Sequence, residues 1–272
     1  TIQSQGGVGH KDGMEDDLNY AKKVAKFFKL PLEIITVTPK QMSIDFEKMI
    51  WHLDEPIADL ASLNVFYITE IARKNGIKVL LSGLGGDDIF TGYRRHQAVN
   101  LERLWNWLPY ELRKLLSFLS KKLNSHSPIQ RRIAKIFLNA HLSKEKRLIQ
   151  YLSWISEDRL YSLYTDEFKE NIKGHSASEP MMDFLKDINQ KGEELEKMLL
   201  LEQRFFLGDF NLIYTDKMSM ANGVEVRVPF LDNDLVEFAS SIPMKYKQKG
   251  FSGKWILKKA MEDYLLKEII YR

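Results

Sequence analysis

The segment Lys78-Val-Leu-Leu-Ser-Gly-Leu-Gly-Gly-Asp-Asp88 decides the fold of this chain, because a short apolar strand leads directly into a glycine-rich turn. In an open parallel sheet, ligands bind where loops leave the carboxyl ends of the strands. Gly83, Gly85 and Gly86 leave backbone N–H groups accessible, so that a phosphate or nucleotide can approach without obstruction by side chains. The segment therefore predicts a parallel strand followed by an anion-binding turn.

The two aspartates at the end of this segment, Asp87 and Asp88, allow two interpretations. Adjacent carboxylates can hold Mg²⁺, a hard cation that takes oxygen ligands and usually shares them with phosphates. Alternatively, the segment is a tight turn in which one aspartate caps the next helix. A lone glycine-rich turn does not separate these alternatives. No Gly-Lys-Ser/Thr follows, so this is not a Walker A sequence.

The residues before the turn alternate between helix and strand patterns. Apolar positions at helical spacing predict helices over 15–28 and 61–74, and Ser43 is a candidate cap for a helix that ends near His52. Residues 32–37 are rich in β-branched side chains and predict a strand. This alternation is typical of a parallel sheet with helices on both faces, so we predict an α/β fold.

The composition excludes several classes of protein. Of the 272 residues, 44% are hydrophobic and 28% charged, which is enough apolar material for a core and argues against general disorder. No stretch approaches the roughly eighteen apolar residues of a spanning helix, so we expect no membrane partner. Cysteine is absent. This excludes disulfides, thiolate metal sites and cysteine nucleophiles, and it agrees with a cytoplasmic location. The histidines lack the spacing of zinc ligands.

Basic residues are concentrated in one part of the chain. The net charge is only +3, yet residues 94–147 hold thirteen Lys and Arg side chains against three Glu. With Trp105, Trp107 and Phe118 in the same segment, it is a candidate surface for nucleic acid or another polyanion. The alternative is a solvated helical face whose lysine and arginine stems cover apolar surface. We favour the solvated face and do not expect a nucleic-acid partner.

Carboxylates also cluster at Asp54, Glu55 and Asp59, before the helix predicted from Ala61. They either cap this helix and complement its dipole or contribute to a site.

Three features nearer the end of the chain have simple structural interpretations. Glu225 and Arg227 predict an ion pair that fixes a loop, and Asp232 is placed to cap the helix that follows. Gly253-Lys254 opens the last predicted helix, where a lysine can meet an anion, although a solvated lysine is the commoner outcome.

Taken in order and spacing, several motifs resemble the synthetase half of B-type, glutamine-hydrolysing asparagine synthetases. The motifs are Val37-Thr-Pro39, Trp51-His-Leu-Asp-Glu-Pro56, Leu81-Ser-Gly-Leu-Gly-Gly-Asp-Asp88 with Phe90, Gly92-Tyr-Arg-Arg95, Asp216-Lys-Met-Ser-Met-Ala221, Glu225-Val-Arg-Val-Pro-Phe-Leu-Asp232 and Gly253-Lys254. No single motif is specific, but the combination is. Residues 100–205 match poorly.

The resemblance implies a PP-loop ATPase fold of the adenine nucleotide alpha-hydrolase type, and an adenylating amidotransferase that uses ATP and Mg²⁺. In that family a small-molecule carboxylate (aspartate or a relative) attacks the α-phosphate of Mg-ATP, and ammonia from a separate glutaminase domain then displaces AMP. The resemblance places Ser82, Gly83, Gly85 and Gly86 at the nucleotide. It makes Asp87 a catalytic Mg²⁺ ligand, and a homodimer is one expected assembly.

The resemblance also implies a division of the chain into three regions. Residues 1–97 form a partial nucleotide-binding α/β core whose first strand and loop are missing. Residues 98–205 form a basic helical region. Residues 206–272 form a helical segment that completes the synthetase cleft.

The sequence departs from the family pattern in three ways. The family's pyrophosphate loop, S-G-G-x-D-S, is expected before this segment, and its lysine in an R-x-K-x-G-F context after Arg272. Second, the family's glutaminase domain is expected outside this segment. We therefore expect the segment alone to be folded but inactive.

The third departure is Leu84, which stands where the family has an acidic residue next to the reacting carboxylate. The acceptor then need not be aspartate, and Asp54 or Asp59 is the candidate catalytic carboxylate in its place. Two alternatives stay open. One is an ATP pyrophosphatase acting on another acceptor, such as a sugar acid or a tRNA base. The other is a non-catalytic module whose basic helices bind a polyanion or a partner.

Overall fold

A computed structural model of the protein describes residues 1–4, 17–55, 57, 59–123, 127–188 and 192–271. The predicted helix start at residue 15 and the motif residues Pro56 and Arg272 lie outside these ranges. The chain divides into two compact units. Unit 1 comprises residues 1–86, 208–238 and 256–272, and unit 2 comprises residues 87–207 and 239–255. The three functional regions expected from the sequence stay a prediction.

Seventeen α-helices lie in the described part of the chain. In order they are α1 (Asp17–Phe28), α2 (Pro39–Leu53), α3 (Ala61–Lys74), α4 (Gly86–Phe90), α5 (Arg94–Glu102), α6 (Tyr110–Ser120), α7 (Pro128–Phe137), α8 (Lys144–Leu152), α9 (Glu157–Tyr161), α10 (Asp166–Asn171), α11 (Glu179–Asp187), α12 (Glu194–Leu201), α13 (Ile213–Met220), α14 (Asn233–Ser241), α15 (Met244–Lys247), α16 (Trp255–Ala260) and α17 (Lys267–Ile270). None of the helices in these residues has the length and apolar character needed to cross a bilayer.

The described strands belong to unit 1 and pair in parallel. β1 (Ile2–Ser4) pairs with β2 (Ile35–Val37). β3 (Val79–Leu81) pairs with β4 (Glu225–Arg227), with Val79 opposite Glu225. These residues form two two-stranded parallel sheets. The α/β prediction with parallel strands is therefore confirmed, although the described strands do not join into one sheet.

The start of α2 differs from the prediction. Thr38 has extended backbone geometry and its Oγ1 accepts a hydrogen bond from the Gln41 N–H at 3.1 Å, and Pro39 occupies the first turn. A threonine cap followed by proline is a strong start signal, because the cap satisfies a free N–H and proline lacks one. Ser43 lies inside the helix, so its prediction as the cap was wrong.

The core of unit 1 forms where α2, α3 and α13 pack together. α3 has the bounds predicted from its apolar spacing, and Gly76, with φ of +75°, follows its end. The buried apolar residues of this core are Val37, Met49, Leu53, Ile57, Leu63, Phe66, Tyr67, Tyr214 and Met218. Asn222 ties α13 to α3, because its Nδ2 donates to the Phe66 carbonyl at 2.9 Å.

Unit 2 is helical, and its core lies among α5, α8, α11 and α12. The buried apolar residues of this core are Val99, Leu148, Ile149, Leu185, Leu195, Met198 and Leu201. A buried ion pair lies beside it: Arg147 Nε donates to Glu102 Oε2 at 2.7 Å, and Arg147 Nη2 donates to Asn106 Oδ1 at 2.8 Å. Burial raises the pKa of the Glu102 carboxyl, although Arg147 opposes the shift.

The segment that joins α12 to α13 is a long π-helix. α12 ends at Leu201, the π-helix covers Glu202–Leu212, and α13 follows. π-helices are rare, usually single-turn, and frequent at functional sites. Apolar spacing alone does not separate this geometry from an α-helix.

One strand lies in a region predicted to be nearly all helix. β4 is only three residues long, and both of its ends are charged. Its backbone pairs with β3, while the predicted ion pair is present, with Arg227 Nε 2.8 Å from Glu225 Oε1. The ion-pair prediction is confirmed, but the pair lies along a strand rather than in a loop.

Candidate functional site

The glycine-rich turn follows the carboxyl end of β3, as predicted. The Ser82 N–H donates to the Arg227 carbonyl at 2.8 Å, which continues the pairing with β4 by one residue. The Leu84 N–H donates to Ser82 Oγ at 3.3 Å, and the Gly86 N–H donates to the Gly83 carbonyl at 3.4 Å. These bonds make a compact turn at the strand end, where parallel sheets bind ligands.

The three glycines of the turn have different roles. Gly85 has φ of +88°, and a Cβ there would overlap the Leu231 side chain. A Cβ on Gly86 would lie 3.4 Å from the Phe230 ring. Gly83 is exposed, with open space where its Cβ would be. Gly85 and Gly86 therefore let the turn pack against the Pro229–Leu231 3₁₀-helix, and Gly83 is the position that a ligand can approach.

Asp87, the next residue along the chain, belongs to unit 2 and pairs there with Lys254. Their Oδ1 and Nζ atoms are 2.8 Å apart, and both side chains are about one-third exposed. A Cβ on Gly92 would overlap the Asp87 carboxylate and the Lys254 stem. The Lys254 N–H donates to the Phe90 carbonyl at 2.8 Å. Glycine at position 92 is thus what allows this carboxylate and ammonium group to meet.

Asp88 is buried, in contrast to its neighbour. Its carboxylate is 1% exposed, Oδ2 accepts from the Tyr93 hydroxyl at 3.4 Å, and Oδ1 has no partner among the described residues. Burial raises the pKa of Asp88 to about 6, and the nearby Glu202 and Asp87 carboxylates add to the shift. This geometry supports the interpretation in which Asp87 faces a ligand and Asp88 braces the segment.

Glu202 is the ionisable residue of unit 2 that sequence reasoning missed. It is fully buried at the start of the π-helix, and its carboxylate accepts from Arg95 Nε and from His96 Nε2. The Tyr93 N–H donates to His96 Nδ1 at 3.2 Å, which places the imidazole proton on Nε2, toward Glu202. The available signal was a lone charge directly after the apolar run Met198–Leu201.

Asp54, a candidate catalytic residue, lies in unit 1 at the end of α2. Its backbone has φ of 60°, and Oδ2 is 3.0 Å from Lys217 Nζ, which also donates to the Leu53 carbonyl at 2.8 Å. No hydrogen bond or ion pair in the described part of the chain joins Asp54 to the glycine-rich turn. The structure therefore brings Asp54 together with the Asp216-Lys217 motif, a pairing that the sequence did not predict.

Two of the predicted capping roles are confirmed. Asp59 Oδ1 accepts from the Ala61 N–H at 2.9 Å, at the start of α3. Asp232 Oδ1 accepts from the N–H groups of Asp234 and Leu235, at 3.1 and 3.4 Å, at the start of α14. These carboxylates occupy the positions where free N–H groups and the helix dipole favour them.

Among the described residues, a single carboxylate rather than a cluster of side chains is available to hold a metal ion. No group of three or more His, Asp or Glu side chains within them has metal-site geometry. Mg²⁺ is commonly held by one or two carboxylates together with substrate phosphates, so the partly exposed Asp87 carboxylate fits that role. The ammonium group of Lys254 beside it fits an anionic ligand.

Comparison with known proteins agrees with these features. A family model described as asparagine synthase matches residues 7–272. The chain belongs to the asparagine synthase family. This confirms the resemblance on which the candidate site residues were placed; the role of each residue stays a prediction.

Curated relatives in this family match most of the chain at low identity. Asparagine synthetase [glutamine-hydrolyzing] 1 of Bacillus subtilis is 26% identical over 97% of this chain and 40% of its own length. A putative asparagine synthetase of Mycobacterium tuberculosis is 28% identical over 83% of this chain and 33% of its own. Amidase chyE of Penicillium rubens is 26% identical over 95% and 40%. The chain thus spans about two-fifths or less of these relatives.

Proposed function

We propose that this chain is the ATP-using part of an amidotransferase that activates a carboxylate by adenylation and passes it to ammonia derived from glutamine. The observation that carries the proposal is the glycine-rich turn at the carboxyl end of β3, followed directly by Asp87 and found in a chain of the asparagine synthase family. We further propose a PP-loop ATPase fold, which the parallel strand pairs of unit 1 support.

The residues of the turn have different roles in binding the nucleotide. The exposed backbone at Gly83 and the Ser82 hydroxyl would contact the nucleotide, while Gly85 and Gly86 keep the turn packed. Asp87 would hold Mg²⁺, which supplies charge neutralisation for the departing pyrophosphate. Lys254 Nζ stays close to Asp87 and adds a positive charge that favours phosphate oxygens.

The carboxylate acceptor is the open part of the proposal. Aspartate is the acceptor implied by the names of most of the relatives, but two relatives are named amidases. Leu84 can neither accept a proton nor orient ammonia, so a different carboxylate, such as a sugar acid, is the second candidate acceptor. Asp54 is a proposed catalytic carboxylate, and Lys217 Nζ lies 3.0 Å from its Oδ2.

Nucleotide binding tests the proposal directly. We expect the protein to bind Mg-ATP, and Asp87→Asn to weaken binding of Mg-ATP much more than binding of ATP in EDTA, as measured by calorimetry. Asp183→Asn, which changes a surface carboxylate paired with Lys186, is the matched control and should leave both affinities unchanged. Absence of ATP binding, or equal losses with and without Mg²⁺, contradicts the assignment.

The acceptor is tested by pyrophosphate release in a protein that also carries the rest of the family architecture. We expect little release with aspartate, more release with another carboxylate, and a gain of aspartate-dependent release in Leu84→Glu. Efficient asparagine formation by the unmodified protein would instead restore aspartate as the acceptor. Release with a tRNA and no carboxylate would favour the alternative pyrophosphatase.

A further inference from the structure

Helix α6 differs from an ordinary surface helix, because two serines and an arginine face the protein. Ser117 and Ser120 are buried, and Ser117 Oγ donates to the Leu138 carbonyl after α7. Arg113 Nη1 donates to the Ala140 carbonyl at 3.1 Å. In a surface helix, the residues that pack inward are normally apolar. Here side-chain hydrogen bonds attach α6 to the segment that follows α7.

The opposite face of α6 presents large apolar side chains to solvent. Leu112, Leu115, Phe118 and Leu119 are 48%, 51%, 55% and 48% exposed. Helical spacing of three and four residues puts these four on one side of the helix. Trp107, which is 75% exposed, precedes the helix by three residues. A contiguous apolar stripe of this kind, unlike scattered single residues, marks an interaction surface.

Lysines border this apolar stripe. Lys114 and Lys121 lie beside it, and Lys122 Nζ lies over the Phe118 ring, 4.7 Å from its centroid. Within the described residues none of these lysines has an acidic partner, and Glu111 is the one acidic side chain of α6. Cations with long stems next to leucines and aromatic rings are typical of helices that lie at the interface of a membrane.

The charge pattern separates the candidate occupants of this face. A second copy of the chain, docked about a two-fold axis, would bring three lysines from each copy together with only one carboxylate of α6 from each, Glu111, so that positive charges would predominate. Nucleic acids are bound mainly through phosphates, which would leave the central leucines without a partner. An anionic bilayer offers both acyl chains for the leucines and phosphates for the lysines.

We propose that the exposed face of α6, formed by Leu112, Leu115, Phe118 and Leu119 with Lys114, Lys121 and Lys122, binds the surface of an anionic lipid bilayer. The helix lies in the plane of the interface and does not cross the membrane. The expectation of no membrane partner rested on spanning segments, which do not bear on this mode of binding. The proposal is independent of the adenylation chemistry.

Vesicle sedimentation tests the proposal. The protein should sediment with vesicles that mix phosphatidylcholine and phosphatidylglycerol, and not with vesicles of phosphatidylcholine alone. Leu115→Gln combined with Leu119→Gln should weaken binding about tenfold or more. Lys114→Gln combined with Lys121→Gln should weaken it about thirtyfold, and added salt should do the same to the unmodified protein. Leu30→Gln combined with Leu163→Gln changes two exposed leucines elsewhere and should bind normally.

A single-site probe identifies the contacting face. The chain has no cysteine, so Leu119→Cys and Leu163→Cys each carry one polarity-sensitive label. The label at 119 should shift its emission when anionic vesicles are added, and the label at 163 should not. Absence of binding, equal binding by the leucine variant, or equal shifts at both labels overturns the proposal. A shift at 119 that follows protein concentration without lipid, or one produced by polyglutamate or RNA instead of lipid, also overturns it.

Discussion

Glu202→Gln should destabilise unit 2 by about 3–5 kcal/mol, because it removes one partner from a buried ion pair. Glu202 is fully buried, and the Arg95 side chain that donates to it is about one-fifth exposed. The guanidinium group of Arg95 also lies 4.0 Å from the Tyr93 ring centroid and 4.4 Å from that of Phe206. It cannot turn toward water without losing both contacts. The substitution therefore leaves a mostly buried cation without the carboxylate that accepts its hydrogen bond.

Urea unfolding, monitored by circular dichroism, measures this loss of stability. Glu170→Gln is the matched control: its carboxylate pairs with Lys173 at 3.3 Å, and both side chains are about three-quarters exposed. We expect the control to lose less than about 1 kcal/mol. The double variant Arg95→Leu with Glu202→Leu should recover much of the loss, since apolar residues can replace a buried pair. Equal stability of the two Gln variants would refute the reasoning.

Three further predictions concern a turn, a titration and a cap. Gly85→Ala should destabilise the protein by more than about 2 kcal/mol, because φ is +88° and the new Cβ meets Leu231, whereas Gly223→Ala, with φ of +62° and open space, should lose about 1 kcal/mol. Asp88 has a pKa of about 6 in the folded protein against an ordinary value of 3.8, so the folded state binds more protons than the unfolded state between these values. The free energy of unfolding should therefore fall by about 2 kcal/mol as the pH rises from 4 to 6, as measured by urea titrations without Mg²⁺. Asp88→Asn should flatten this fall. Thr38→Ala should lose about 1 kcal/mol in thermal unfolding, whereas Ser43→Ala, inside the same helix, should lose almost nothing.

Local patterns in the sequence predicted local structure well. The bounds of α3 follow from apolar spacing and the Asn75-Gly76 stop, and the Asp232 cap follows from its distance to the next apolar run. The turn after β3 was predicted for the same reason, since strand and glycines are adjacent in the chain. β4 was missed because three residues with two charged ends carry no strand pattern of their own. Its stability comes from pairing with β3, which is distant in sequence.

The sequence did not predict which charged residues pair when they lie far apart along the chain. Glu202 meets Arg95 and His96 across more than a hundred residues, and Arg147 meets Glu102 across 45. In the sequence these cations looked like part of a basic surface of residues 94–147. The structure uses several of them, including Arg95, Arg113 and Arg147, inside unit 2. Fewer basic side chains are therefore available for a polyanion than the composition suggested. The lysines that border α6 are still exposed.

The backbone around Asp87 is strained, and the strain costs more free energy than the Asp87–Lys254 ion pair contributes. Thr91 and Lys254 both have φ in the left-handed region, at 61° and 53°, although neither is glycine. Each non-glycine residue in this region destabilises the folded state by about 1 kcal/mol or more. A partly exposed ion pair such as Asp87–Lys254 contributes about 1 kcal/mol at most. Strain that persists beside a partly exposed carboxylate and ammonium group is typical of a binding site, and this balance supports assigning Asp87 and Lys254, rather than the buried Asp88, to the ligand.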